Sequence, residues 1–411
     1  MLSHSRLTVA TIVIAFFDTL LPYSPAKAET GSIPPEVVSC WARAGGEFGW
    51  LAVNRQGFKS PANGAAKQED DIPAFQFTEW PVGGFHALPK PDCEFGLDLT
   101  HSSLTDADVG ELTGFKFLRV LNVSATRISD EGITKLSALD GLEALQMRST
   151  RIGNAGMQGL SRLRKLRRLS LCNTGITDEG VIQLRDLRCL QRLDLSLTKV
   201  TDKSMASVAA IEHLKKLDLA ETKVSDPGMK MIKRLTQLES LDLCSTGITD
   251  VGLGELSALR KLHSLSLVNT QITDAGIREL RGMNELQALD VSSTRITDGG
   301  LKELVNLKKM DTLYISNVHI TRDGVKTLSA MPQIRALYLS ETLVDDEGLK
   351  ALARLPNLER LDLVRTRVTD TGLKYLAEIK RLKWLGLSHT LVTDAGASEL
   401  QTALPRTTIE R

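Results

Sequence analysis

The chain has 411 residues, 42% hydrophobic and 25% charged, with a formal net charge of +1. That balance excludes a strongly basic nucleic-acid binder and a chain drawn as a whole to anionic membranes. Aromatic residues are scarce at 4%, so a core must be built from aliphatic side chains.

Residues 1–28 have the form of a secretory signal peptide. Arg6 and the free amine give a positive start, Leu7 to Leu21 is mostly apolar, and Ala26-Lys27-Ala28 is a small-x-small cleavage site. Asp18 interrupts the apolar run, which is far shorter than the ~20 residues a spanning helix needs. The expectation is an exported protein, periplasmic or extracellular, with no stable membrane span in the mature chain. Export permits disulfides. Of the five cysteines, Cys40 and Cys93 fall outside the repeats described below and are the pair available for one; Cys172, Cys189 and Cys244 lie within repeats. No CxxC and no cysteine–histidine cluster with ligand spacing occurs, so neither a metal nor a cofactor is expected.

Residues 29–93 carry no repeat and concentrate the aromatics: Trp41, Phe48, Trp50, Phe58, Phe75, Phe77, Trp80 and Phe85. A repeat array exposes a raw core and an unpaired strand edge at its end. The segment is therefore expected to be an N-terminal cap. IPPEVVSCW at 33–41 resembles the opening of an F-box, the module that precedes some intracellular repeat adaptors of ubiquitin ligases. The rest of the F-box pattern is missing, and a signal peptide contradicts it. An enzyme built on this segment is a further alternative, but no triad or metal set supports it.

From about 94 to 405 the chain is periodic. The column Ser102, Thr126, Thr150, Thr174, Thr198, Thr222, Thr246, Thr270, Thr294, Val318, Thr342, Thr366, Thr390 advances by 24 residues at every step, giving thirteen repeats without insertion. LESLDLCSTGITDVGLGELSALRK at 238–261 shows one unit. Leu241 and Leu243 alternate with Asp242 at strand spacing, and Leu253, Leu256 and Leu259 recur at the spacing of a short helix. Each unit is thus a strand, a turn and a short helix, and buries its apolar face only against neighbours. Strands stack ~4.8 Å apart while a helix with side chains is ~10 Å wide, so the helical side splays outward.

The pattern L-x-x-L-x-L-x-x-T-x-I-T-D-x-G-L resembles the leucine-rich repeat family. It is similar to the cysteine-containing and ribonuclease-inhibitor-like subclasses, and above all to a bacterial secreted type with 24-residue units. Thr stands where the family has Asn or Cys. The resemblance implies an α/β fold: a right-handed β-α solenoid, or horseshoe, with a parallel sheet on the concave face and short helices on the convex face. It implies a non-enzymatic protein that binds an unknown protein ligand through the concave face.

TGITDEG at 174–180 offers a hydroxyl, a carboxylate and a backbone donor, which is also what catalysis uses. It recurs as TGITDVG, TQITDAG and TRITDGG, whereas a catalytic site is made once. The phrase is therefore expected to build turns and helix caps. Function is sought in residues that the repeat leaves free. On the concave face these include a basic strip, Arg168, Arg192 and Lys216 with Arg148 beside it, against an acidic strip of Asp194, Asp218 and Asp242. They also include Tyr314 and Tyr338 side by side, with Arg360 and Trp384 in the next two repeats, the residue types that dominate binding hot spots. Repeat 10 breaks the consensus there, with Val318 for Thr and Arg322 for Asp. Residues 406–411 are left as a C-terminal tail.

Overall fold

The structure, a computed structural model, describes residues 33–52, 57–60 and 71–411. The signal peptide expected at 1–28 lies outside the described residues. The chain divides into two compact units, 1–223 and 224–411.

The first unit opens with a helix, Pro35–Arg43, whose proline at the first turn fits a position that needs no N–H donor. Strand β1 (Glu47–Ala52) pairs antiparallel with β2 (Asp71–Gln76). From there the strands run parallel in chain order: β3 (Phe95–Asp98), β4 (Leu118–Asn122), β5 (Ala144–Gln146), β6 (Arg168–Ser170), β7 (Arg192–Asp194) and β8 (Lys216–Asp218). The second unit continues the pattern with β9 (Ser240–Asp242), β10 (Ser264–Ser266), β11 (Ala288–Asp290), β12 (Thr312–Tyr314), β13 (Ala336–Tyr338), β14 (Arg360–Asp362), β15 (Trp384–Gly386) and β16 (Thr408–Glu410). Its strands are parallel and in register at 24-residue steps, as in Leu313↔Leu337 and Leu337↔Leu361. A short helix follows each strand of both units from β3 to β15, and a 3-10 turn adjoins several of these helices.

The central residue of each strand points into the core: Leu289, Leu313, Leu337 and Leu361 are fully buried. Its neighbours alternate onto the opposite, open face of the sheet. This is the parallel β-α repeat fold that the spacing predicts.

The cap of the first unit is aromatic. Trp41 is fully buried, stacks on Phe75 at 4.4 Å and meets Phe77, Phe85, Phe95 and Phe115 at 5.6–5.9 Å. Its indole N–H donates to the Pro89 carbonyl at 2.9 Å. That ring cluster ties the helix to the segment before β3. Cys40 and Cys93, the pair available for a disulfide, are both free, half-buried thiols here. On the open face, Leu51 and Phe58 pack with Ala74, Val120 and Ala144, so the cap covers the sheet around β4 and β5.

Within residues 406–411, expected as a tail, Thr408–Glu410 form β16. It pairs in parallel with β15, placing Ile409 opposite Leu385. The 24-residue step from Leu385 to Ile409 was the signal that the shortened last unit concealed.

Candidate functional site

The recurring phrase resolves into a lock between successive repeats. The first Thr donates its hydroxyl to the carbonyl three residues back, as Thr246 does to Leu243 at 2.6 Å, and so closes the turn after the strand. The second Thr is the helix N-cap: Thr249 accepts from Val251 N–H at 3.3 Å. The Asp serves the following repeat. Asp226 accepts from the Thr249 N–H (2.8 Å), the Thr249 hydroxyl (2.6 Å) and the Gly252 N–H (3.0 Å). Gly is needed because a Cβ at Gly252 would collide with that Asp226 carboxylate. In the first unit, against the desolvation of burial, the Thr201 N–H and hydroxyl hold the Asp178 carboxyl below its usual range.

Two variations keep the lock. Asn154 takes the Asp position; its Oδ1 accepts from Thr177 N–H, and its amide donates to the Thr177 hydroxyl, reversing the sense of that bond. In repeat 10, Arg322 replaces Asp while the next repeat carries Asp345 in place of Thr. The two side chains pair at 2.6 Å, and Asp345 caps its own helix by accepting from Gly348 N–H. The break singled out in the sequence is an exchange compensated within the lock.

The residue before the first Thr of each repeat is left-handed, with φ between 51° and 63° from His101 to His389. Only three of the thirteen are Asn; the rest include Leu197, Glu221 and Arg365, which gave the sequence no left-handed signal.

The open face carries two sets of the expected residues. In the first unit the basic strip is not a free surface. Arg168 and Lys216 are 5% and 7% exposed. Arg148 lies 3.7 Å from Asp194, whose carboxylate also accepts from the Ser170 and Ser196 hydroxyls. Burial pushes the neighbouring Cys172 thiol up to about 11, which favours the protonated thiol. The acidic column does backbone work: Asp194, Asp218 and, in the second unit, Asp242 each accept from the N–H two residues on.

In the second unit that column changes character. Tyr314 and Tyr338 occupy it and stack with centroids 4.1 Å apart and planes 9° from parallel. Burial, with Tyr338 beside it, pushes the Tyr314 hydroxyl well above its usual range, so it stays a neutral donor. Trp384 lies 6.5 Å from Tyr338, tilted by 36°. Strands β13 and β15 flank β14, a separation of about 9.6 Å, so the two rings lean towards each other across β14, and the indole tip lies over residue 386. It can do so because residue 386 is glycine: a Cβ there would sit 2.8 Å from the indole Cη2 and from the Asp362 Oδ1. Arg360 stands beside Trp384, exposed and without an ion pair among the described residues. The structure thus brings all four aromatic-patch residues together on adjacent strands. Sequence reasoning missed Gly386, although its departure from the Asp column was visible.

Comparison with known proteins follows the same lines. A model described as "Leucine-rich repeat region" matches residues 99–374, well over half of the chain. An internalin from Listeria monocytogenes is similar at 25% identity and a TM-score of 0.57, over 73% of this chain and 81% of that one. A leucine-rich repeat protein of Leptospira interrogans is 19% identical with a TM-score of 0.44, over 82% and 89% of the two chains. No curated protein matches. With a 24-residue parallel β-α repeat on the page and a family match spanning residues 99–374, the chain belongs to the leucine-rich repeat family.

Proposed function

We propose that this is an exported, non-enzymatic binding protein that captures a protein partner on the open face of the second unit, through Tyr314, Tyr338, Trp384 and Arg360. The observation that carries this reading is the Tyr stack flanked by the leaning indole and an unpaired guanidinium. Rigid aromatic side chains already fixed in place lose little entropy on binding, and Arg adds a directed donor, which is why such clusters dominate interface energetics. The recurring Thr, Asp and Gly are consumed by the repeat lock and leave no constellation for catalysis.

The test is affinity capture from the exported fraction with the chain that begins at Glu29, comparing wild type with Tyr314→Ala/Tyr338→Ala/Trp384→Ala. Partners held by the wild type and lost by the triple variant support the site. Capture that survives the triple substitution in a folded protein rules it out. Sequencing the natural N-terminus tests export separately: Glu29 is expected, and an intact Met1 in the cytoplasm would favour the adaptor alternative.

A further inference from the structure

The first unit holds a cleft at the place where the periodicity stops. The chain leaves β2 through Thr78, Glu79 and Trp80 and does not make the turn that every later repeat makes. The first repeat's turn at 101–103 therefore lacks a matching neighbour on that side. The result is an open cleft of about 560 Å³, lined by Glu79 and Trp80 on the cap side and by His101, Ser102, Ser103 and Arg127 on the repeat side.

One observation points to a ligand, and a second marks this turn as unlike its counterparts. Trp80 is only half-buried, and its ring is held edge to face against Phe85 at 4.9 Å, giving the cleft a fixed aromatic wall. Ser102 is 4% exposed, and its hydroxyl makes no hydrogen bond. Its Thr counterparts in the next repeats donate to a carbonyl three residues back, as Thr126 does to Val123 and Thr150 to Met147. A buried hydroxyl without a partner is costly.

We propose that this cleft binds a neutral oligosaccharide. The volume lies within the about 300–1,000 Å³ of small-ligand sites, but the lining is polar with a single aromatic wall, unlike a pocket for an apolar ligand. Glu79 and Arg127 carry opposite charges, so an anion or a cation meets repulsion from one of them. A neutral polyhydroxyl ligand bonds to both, offering donors to the Glu79 carboxylate and acceptors to the Arg127 guanidinium. The apolar C–H face of a pyranose covers an indole, which removes apolar area from water without stripping the hydroxyls. This site is separate from the aromatic patch of the second unit.

The experiment is calorimetric titration of the full chain with chitotriose, cellotriose and maltotriose, together with Trp80→Ala, Trp80→Phe, Arg127→Ala and, as a control, Tyr338→Ala. At least one trisaccharide is expected to bind. Trp80→Ala should weaken it by about tenfold or more, Trp80→Phe and Arg127→Ala by less, and Tyr338→Ala not at all. Thermal unfolding reports whether Trp80→Ala keeps its cap; if it does not, Arg127→Ala and Glu79→Gln decide, because both side chains are exposed. Failure of all three sugars to bind at millimolar concentration overturns the proposal. So does binding that these substitutions leave unchanged.

Discussion

Asp290 shows how one residue can be set against the fold that holds it. It is 4% exposed at the foot of the Tyr stack, with Tyr314 opposite it on the next strand, and burial pushes its carboxyl up to about 6 despite the Ser292 hydroxyl and N–H. A raised acid pKa means that the folded state binds the proton more tightly than the unfolded one. Stability from this group is therefore full below the unfolded carboxyl range, falls as pH rises towards 6, and stays lost above it. Asp290→Asn keeps an acceptor for Ser292 N–H and removes the buried charge. It should stabilise the protein by about 1–3 kcal/mol at pH 8 and by little at pH 4. Urea unfolding of both proteins at the two pH values checks this, and an equal difference at both would refute it. Asp178, one of the inter-repeat aspartates, behaves in the opposite sense. The depressed Asp178 carboxyl contributes fully above the unfolded range, and that contribution fades as pH falls through its folded value.

At the scale of the repeat element, the glycines divide into two kinds. A Cβ at Gly372 would strike the Asp346 carboxylate of the preceding repeat, the one that holds Thr369. Gly348 has no such carboxylate beneath it, because Arg322 stands at that position; the nearest atom to a Cβ there is Val344 Cγ1 at 3.3 Å. Gly372→Ala should therefore cost about 1–3 kcal/mol by overpacking. Gly348→Ala should change stability by less than about 1 kcal/mol, the close contact being offset by the gain in helix propensity. Comparable losses at both sites would show that the glycines serve helix packing alone. The sequence displayed the glycine column and the Thr–Asp pair, but not their connection. Asp226 and Thr249 are 23 residues apart, and their contact exists only once the strands stack in register. The left-handed column was invisible for a related reason: its conformation is imposed by turns locked on both sides, so Leu197 and Glu221 occupy it as Asn173 does. The Tyr patch could be read because strand alternation and a fixed period assign every residue to a face and a neighbour. Gly386 was not recognised because its purpose lies in the lean of Trp384.

For the molecule as a whole, a lock that most repeats make in the same way implies that repeats are interchangeable where the lock residues match, and not elsewhere. The second unit allows a direct trial. Deleting residues 270–293 removes one period and brings Asp250 against Thr297 and Gly300, equivalents of its present partners Thr273 and Gly276. That chain should fold cooperatively, with stability reduced only by the loss of one repeat and its interface. Deleting 318–341 also removes one period, but it takes Arg322 and leaves Asp345 facing Asp298, two carboxylates where one hydroxyl and one carboxylate should meet. That deletion should be distinctly less stable than the first. It also removes Tyr338, so the loss alone does not identify the cause. Adding Asp345→Thr to the shortened chain restores the consensus pair without restoring the Tyr stack, and should recover most of the difference in the thermal midpoint. If the added substitution recovers nothing, the exchange of Arg322 and Asp345 is unconnected with the lock, and the departure of repeat 10 from the consensus must be explained by the face it presents.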